Sequence, residues 1–453
     1  MPMDFREENC MSDSTLPDDI RDWIGTIAGR PTRLKRQAGG NRRQAWEVDV
    51  DNEALFLRFD PINVADSGDP YTIRREARIY QALRDTPVLL PRLIGMHPDQ
   101  EAMLVERAPG SAAYTRIADV ARKQDLLLQY MRELARLHAV DATAIDHGLG
   151  TVRAVAEHIQ DDLAVWEAMY RQTGRGDPLI EFGLAWLRAN IPTVEVPAVI
   201  VHGDAGPGNF LFRDGKVTAL LDWELAHLGD PIEDLAWVSM RSVIEPVPDF
   251  AAAVAAYVEA RGYSVDRARL HFHRVFVQWR VAIIRHRLRG ADLANSLMSR
   301  ALNRRLLVEA LAAVTGQPMA GPASDGDAPT ARTPLFDNIL DMLRDDVLPA
   351  LAGAGALPAA KAKSVARIVK HLRALDRSGV ALEATERAEL SALLGAACDD
   401  VVAGRQAPAG AVRGERGGGA ARFRYLGAQS ARETLLMRDS MGALASRSFP
   451  ALS

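Results

Sequence analysis

The sequence predicts an α+β fold of two lobes, a small antiparallel sheet and then a larger, mostly helical lobe, followed by a small helical domain. Three observations carry that expectation. Between Pro31 and Asp60, short runs of alternating apolar and polar residues are separated by turn-forming Gly and Asn, the pattern of half-buried strands joined by tight turns. Beyond Asp125, apolar residues recur at helical spacing, as in Leu127, Met131, Leu134 and His138, a core-facing stripe. Within that helical stretch, two apolar runs of strand length, Val199-Ile200-Val201 and Leu220-Leu221, end in polar residues.

Taken in order, the first lobe (1–105) opens with strands over Arg33–Gln37 and Ala45–Val50, with Gly39 and Gly40 in the turn between them. Asp51-Asn52-Glu53 turns the chain into a third strand, Ala54–Phe59,. Thr72–Leu83 places Ile73, Ala77, Tyr80 and Leu83 on one helical face,. Ala102–Glu106 reads as a strand, and the breaker Ala108-Pro109-Gly110 suits a hinge into the second lobe (106–315),. That lobe carries helices over Asp125–Val140, Ala154–Tyr170 and Phe182–Ala189. Asp230-Pro231 fits a helix start, with Asp as cap and Pro in the first turn. Residues 316–333 are rich in Gly, Pro, Ser and Asp and read as a linker,. Two amphipathic helices follow in 334–398, the second stopped near Gly379, and a third around Glu386–Ala397 completes a small bundle. Three such helices bury little alone, so they are expected to dock on the second lobe or to pair in a homodimer. Gly and Arg dominate from about Val402, and 399–453 is expected to be disordered.

Composition excludes several classes. The 453 residues hold 55 basic and 59 acidic side chains with no long basic run, so nucleic acid is not the expected partner. The two cysteines, Cys10 and Cys398, are far apart and form no disulfide framework,. No apolar run approaches the roughly 18 residues of a membrane-spanning helix, and the acidic start lacks a signal-peptide pattern. A cytoplasmic protein without membrane partners is expected.

The chemistry concentrates in His202-Gly203-Asp204-Ala205-Gly206-Pro207-Gly208-Asn209 and in Leu221-Asp222-Trp223-Glu224. Phosphoryl transfer needs a positioned hydroxyl, neutralised phosphate charge and one or two Mg²⁺ ions. Asp204 would accept or orient the proton of a substrate hydroxyl. Asn209 would offer a carbonyl oxygen, and Asp222 a carboxylate, to Mg²⁺, a cation that takes a few hard oxygen ligands beside phosphate and water. The Asp-x-x-x-x-Asn spacing matches the catalytic loop of protein kinases, with Asp222-Trp223-Glu224 where their Asp-Phe-Gly stands. His202 reads as loop scaffold rather than base. Asp234 reads as a tether that holds the loop from the helix after Asp230-Pro231. Only five residues separate Glu224 from Asp230, which leaves no room for the activation segment of a protein kinase.

These two motifs resemble the aminoglycoside phosphotransferase-like family of small-molecule kinases. Ala226–Trp237 is similar to the branch fused to acyl-CoA dehydrogenases in animals. The resemblance covers about residues 20–315. It implies a protein-kinase-like fold, ATP and Mg²⁺ as cofactors and a small-molecule acceptor. A kinase-like fold needs a cation on its third strand, which by position is Arg58, where protein kinases carry Lys. Glu76 is its expected partner, the alternative being a solvated charge on an exposed face. Gly39 and Gly40 would let backbone amides approach phosphates, unless they only make a turn. Glu106 falls where such folds meet the adenine.

Residues 259–309 hold eleven Arg, no Lys and four acidic residues, an excess of seven positive charges. In the resembled family this region helps shape the acceptor pocket. A polycationic aminoglycoside calls for an acidic pocket, whereas Arg280 and Arg285 suit an anionic acceptor such as a hydroxyacyl group on coenzyme A, with Glu224 also at the acceptor side. The alternatives are that these arginines line solvated faces or pair with acidic surface elsewhere, since the rest of the chain is negative, that the chain is an aminoglycoside kinase, or that it is a silent nucleotide-binding scaffold.

Overall fold

The computed structural model describes residues 16–37, 43–51, 53–61, 70–194, 196–287, 293–321, 323, 333–351, 353, 356–406 and 419–451. These fall into two compact units, one running to Arg84 and including Leu90–Ala108, the other comprising Asp85–Leu89 and the chain from Pro109 on. Gly39 and Gly40 lie outside the described residues.

The first unit begins with helix α1 (Asp18–Ile27), followed by strands β1 (Pro31–Arg36), β2 (Gln44–Val50) and β3 (Glu53–Phe59), helix α2 (Ile73–Leu83), and strands β4 (Leu93–Met96) and β5 (Ala102–Glu106). The strands form one antiparallel sheet in the order β1-β2-β3-β5-β4. The period-2 alternation decides its two faces. Trp46, Val48 and Val50 of β2 and Leu55, Leu57 and Phe59 of β3 join Ile20 and Ile24 of α1 in one buried cluster. Arg58, between Leu57 and Phe59, therefore projects from the opposite face. Thr72 caps α2 by accepting the Arg75 N–H at 3.0 Å.

The second unit is built on helices α3 (Val120–His138), α4 (Val155–Arg171) and α5 (Pro178–Ala189). Two antiparallel ribbons follow. Strand β6 (Val199–Val201) pairs with β9 (His227–Gly229), and β7 (Phe210–Arg213) pairs with β8 (Lys216–Leu220). Helices α6 (Pro231–Ile244), α7 (Phe250–Arg261), α8 (Arg267–Arg287) and α9 (Leu293–Thr315) complete the lobe. Asp230 caps α6, accepting the Ile232 N–H at 3.0 Å, and Pro231 occupies the first turn. No helix of the described residues is long and apolar enough to cross a membrane.

The C-terminal region departs from expectation twice. After α10 (Leu335–Met342), one helix of 39 residues, α11 (Ala356–Leu394), replaces the two helices expected on either side of Gly379. A Cβ on Gly379 would make only ordinary contact with Leu375, and glycine inside a helix costs only about 1 kcal/mol, so packing overrides the breaker. The tail expected to be disordered contains α12 (Ala420–Met441). Its Phe423, Leu426, Leu435, Met437 and Met441 are buried; the neighbouring Gly-Arg run masks their spacing in the sequence. Met437 and Met441 pack with Val243 of α6 and Ala301, Leu302 and Leu306 of α9, so this helix docks on the lobe itself.

Arginines of α8 and α9 hold this arrangement together. Arg304, 4% exposed, pairs with Asp177 at 2.6 Å and with Glu433 of α12 at 2.9 Å. Arg274 donates to the Pro450 carbonyl and Arg305 to that of Leu444. Removing one partner of a buried pair leaves an uncompensated charge. Arg304→Ala is therefore expected to lower unfolding free energy by roughly 3–5 kcal/mol, read from denaturant midpoints.

Candidate active site

The loop 202–209 leaves β6 and returns through β7, and its shape follows from three anchors. Asp234 of α6, fully buried, accepts the backbone N–H of His202 at 2.7 Å and of Gly203 at 2.9 Å. Its Oδ2 also meets His138 Nε2 at 2.9 Å, and His138 Nδ1 meets the Tyr257 hydroxyl at 2.7 Å. Burial works to raise this carboxyl; the hydrogen bonds from the His138 ring and the His202 backbone N–H, with the electrostatic attraction of these residues, outweigh it and hold it below the usual carboxylate range,. The second anchor is Tyr130 of α3, whose hydroxyl accepts the Gly206 N–H at 2.8 Å. The third is His202, whose Nδ1 accepts the Asp204 N–H at 3.3 Å while Nε2 meets the Leu221 carbonyl at 2.8 Å. That pattern places the ring proton on Nε2, so the ring bridges the two motifs as a scaffold.

The same carbonyl and amide of Leu221 bring the motifs together. The Leu221 N–H donates to the Asn209 carbonyl at 2.9 Å, so Asn209 and Asp222 sit on adjacent turns. Asn209 donates its Nδ2 to the Asp204 carbonyl at 2.7 Å and to Asp204 Oδ2 at 2.8 Å. Its side-chain carbonyl, the atom a cation would use, is therefore not spent on Asp204. Asp222 adopts a left-handed conformation with φ 67°, uncommon for a residue with a Cβ and concentrated at functional sites. Glu224 follows in a single turn, partly exposed. Among the described residues no group of three or more His, Cys, Asp or Glu could hold a metal ion. One amide and one carboxylate fit Mg²⁺, which completes its shell with phosphate and water.

Sequence reasoning missed Arg241. It reaches back from α6, donating Nε to Asp204 Oδ1 at 3.0 Å and Nη2 to Asp204 Oδ2. Burial works to lower this guanidinium; the Asp204 carboxylate outweighs it and raises it. Nothing local in the sequence announces the contact, because 37 residues separate the pair.

In the first unit, Glu76 is fully buried, which overturns the reading of a solvated charge on an exposed face. Its Oε1 meets Arg58 Nη1 at 3.0 Å, and Arg43, also not foreseen, approaches Oε2 at 3.7 Å. Glu106 ends β5, exposed, opposite Leu55.

The acceptor arginines need correction. Arg280 is 1% exposed, pairs with Asp162 at 3.1 Å and with Glu233, and lies over the Phe276 ring at 4.4 Å. It ties α8 to α4 and α6 and is not presented to a ligand. Arg269 likewise pairs with Asp230 at 2.6 Å. Arg285 differs. It is half-buried near the end of α8, burial pushes its guanidinium down, and its Nε has no hydrogen-bond partner among the described residues.

A family model for the phosphotransferase enzyme family (APH) matches residues 33–273. The chain belongs to the phosphotransferase enzyme family. The phosphotransferase is 26% identical over 243 residues to acyl-CoA dehydrogenase family member 10 of Mus musculus, matching 51% of this chain and 22% of that protein. It is 27% identical over 126 residues to acyl-CoA dehydrogenase family member 11 of Homo sapiens, matching 26% of this chain and 16% of that one. The chain thus spans about a fifth of the curated relatives it matches. Its fold is similar to that of a thermostable mutant of aminoglycoside phosphotransferase APH(4)-Ia in ternary complex with AMP-PNP and hygromycin B. That match has a TM-score of 0.52 and 15% identity, and covers 66% of this chain and 100% of that one.

Two outcomes follow from this geometry. A Cβ on Gly203, whose φ is 78°, would lie 2.2 Å from the Leu225 carbonyl oxygen. Gly203→Ala is expected to cost of order 1–3 kcal/mol from backbone strain alone, more with the clash, measured by denaturant unfolding. Burial works to raise the Asp230 carboxyl, but His273 and Arg269 hold it down at about 2, from an ordinary 3.8. A depressed carboxyl stabilises the fold above its unfolded value, and that stability is lost as pH falls through the folded one. The stability gap between wild type and Asp230→Asn should therefore be widest at neutral pH and close between about pH 4 and 2,.

Proposed function

We propose that this phosphotransferase uses ATP and Mg²⁺ to phosphorylate a hydroxyl of a small, anionic molecule in the cytoplasm, with a hydroxyacyl thioester of coenzyme A as the acceptor class. The observation that carries the reading is the convergence of Asp204, Asn209 and Asp222, held by the paired backbone of Leu221 and Asn209. In the reaction, the acceptor oxygen attacks the γ-phosphorus, its proton passes to the Asp204 carboxylate, and ADP leaves with the bonding electron pair. Asn209 and Asp222 would hold Mg²⁺, which neutralises phosphate charge when bound. Arg58, fixed by Glu76, would grip phosphate oxygens with a planar fork where a Lys offers a point charge,. Gly39, Gly40 and Glu106 belong to this nucleotide side of the proposal.

Support for the acceptor class comes from two directions. The relatives are named as acyl-CoA dehydrogenases, and Arg285 offers a guanidinium not consumed by an ion pair among the described residues. One observation favours a second reading, a cationic aminoglycoside. Among the described residues, three of the eleven arginines of 259–309, Arg269, Arg280 and Arg304, are spent internally, on Asp230, Asp162, Glu233 and Asp177.

Mg²⁺-dependent ADP release separates the two, measured with 4-hydroxyacyl-coenzyme A thioesters, hygromycin B and no acceptor. Release that needs the thioester is expected, and stimulation by hygromycin B alone would replace it with the second reading. Asp204→Ala should lower turnover by about 10²-fold or more while ATP still binds. Asp222→Ala should weaken Mg²⁺-dependent ATP binding in calorimetry, and an isotherm matching wild type would remove it from the metal site.

A further inference from the structure

We propose that Arg241 is the positioning residue of phosphoryl transfer, a two-point clamp that sets the Asp204 carboxylate plane and directs the acceptor hydroxyl to Oδ1. This rests on the phosphotransferase reading above.

A carboxylate oxygen offers about two acceptor sites. On Asp204, Oδ2 receives both Arg241 Nη2 and Asn209 Nδ2, so its sites are filled. Among the described residues, Oδ1 receives only Arg241 Nε, at 3.0 Å. One acceptor site therefore remains on this side chain, on Oδ1, and a substrate hydroxyl that gives its proton to Asp204 must approach there. A planar guanidinium bound through Nε and Nη2 fixes the carboxylate in its own plane. An ammonium in the same place would leave the carboxylate free to rotate.

The loop is shaped to admit this clamp. A Cβ on Gly206 would lie 2.8 Å from Arg241 Cδ and 2.9 Å from its Cβ. A Cβ on Gly208 would lie 3.2 Å from Glu245 Oε1 and 3.6 Å from Arg241 Nη1. Both glycines of Gly206-Pro207-Gly208 thus face the arginine, and the Pro207 carbonyl accepts from its Nη1 at 3.4 Å. The arginine is itself held, because it lies in the last turn of α6. Arg447 donates to the Val243 and Ile244 carbonyls at the end of that helix, at 3.3 and 3.1 Å. Such contacts satisfy carbonyls that a helix end leaves open and place a cation at its negative pole.

The test uses the full chain and the acceptor that supports ADP release in the assay above. Arg241→Gln and Arg241→Lys are both expected to lower kcat by about 10²-fold, with KM for ATP within about twofold of wild type. Guanidinium chloride at a sub-denaturing concentration should restore part of the rate to Arg241→Ala. A kcat for Arg241→Gln close to wild type would overturn the proposal, as would full activity in Arg241→Lys. A second measurement needs no turnover, namely a denaturant-unfolding cycle of wild type, Asp204→Asn, Arg241→Gln and the double variant. Non-additive free energies are expected for groups in direct contact, and additive ones would overturn the clamp even if every acceptor were silent. Coupling in the cycle with no acceptor active would support the clamp and sink the proposed reaction instead.

Discussion

The buried carboxylate of Asp234 is the joint on which the catalytic lobe turns. Two loop amides, one histidine ring and, through that ring, a tyrosine hydroxyl converge on it. An ionised carboxylate with no exposure is tolerated only when its lone pairs are satisfied, and here the loop amides and the His138 ring satisfy them, the ring being held in turn by Tyr257. The loop after β6, helix α3 through His138 and helix α7 through Tyr257 are registered on helix α6 at one point. Low local dielectric strengthens each of these bonds and makes any missing one costly.

Helix α6 serves that joint along its whole length. Its first turn is capped by Asp230, which is gripped in turn by Arg269 and His273 of α8. The same first turn supplies Asp234, the last turn supplies Arg241, and the far end is closed by Arg447 from the C-terminal segment. The contacts that Asp234 and Arg241 make with the 202–209 loop are thus transmitted through a helix held at both ends. Part of the basic excess of α8 and α9 is used in the same way. Among the described residues, Arg269, Arg280 and Arg304, with Arg274 and Arg305, brace α4, α6, the cap of α5 and the C-terminal segment.

The C-terminal region shows how local signals and packing compete. Gly379 breaks a helix by propensity, yet one helix runs through it between the buried Val369 and Leu390, since about 1 kcal/mol of backbone cost is small against the burial of such side chains. Likewise, the Gly-Arg composition around residue 415 hides a helix whose Phe423, Leu426 and Met437 find partners on α5, α9 and α6. Neither outcome is visible without knowing what lies opposite.

The sequence by itself determined the family and the kinase-like fold. That the 202–209 loop and Asp222 would lie side by side was legible because short spacings within a loop and a hairpin constrain what neighbouring backbone can reach. The sheet of the first unit was legible because period-2 alternation assigns faces, which also put Arg58 on the side away from the apolar cluster, and helical spacing set Glu76 on α2. Tertiary structure alone decided which charges face which. Arg241 pairs with Asp204 across 37 residues, Arg43 shares Glu76, and Arg280 is sealed between Asp162 and Glu233. A long charged side chain carries no periodic signature of its partner, because Coulomb attraction depends on distance in space and burial, neither of which is written in chain order.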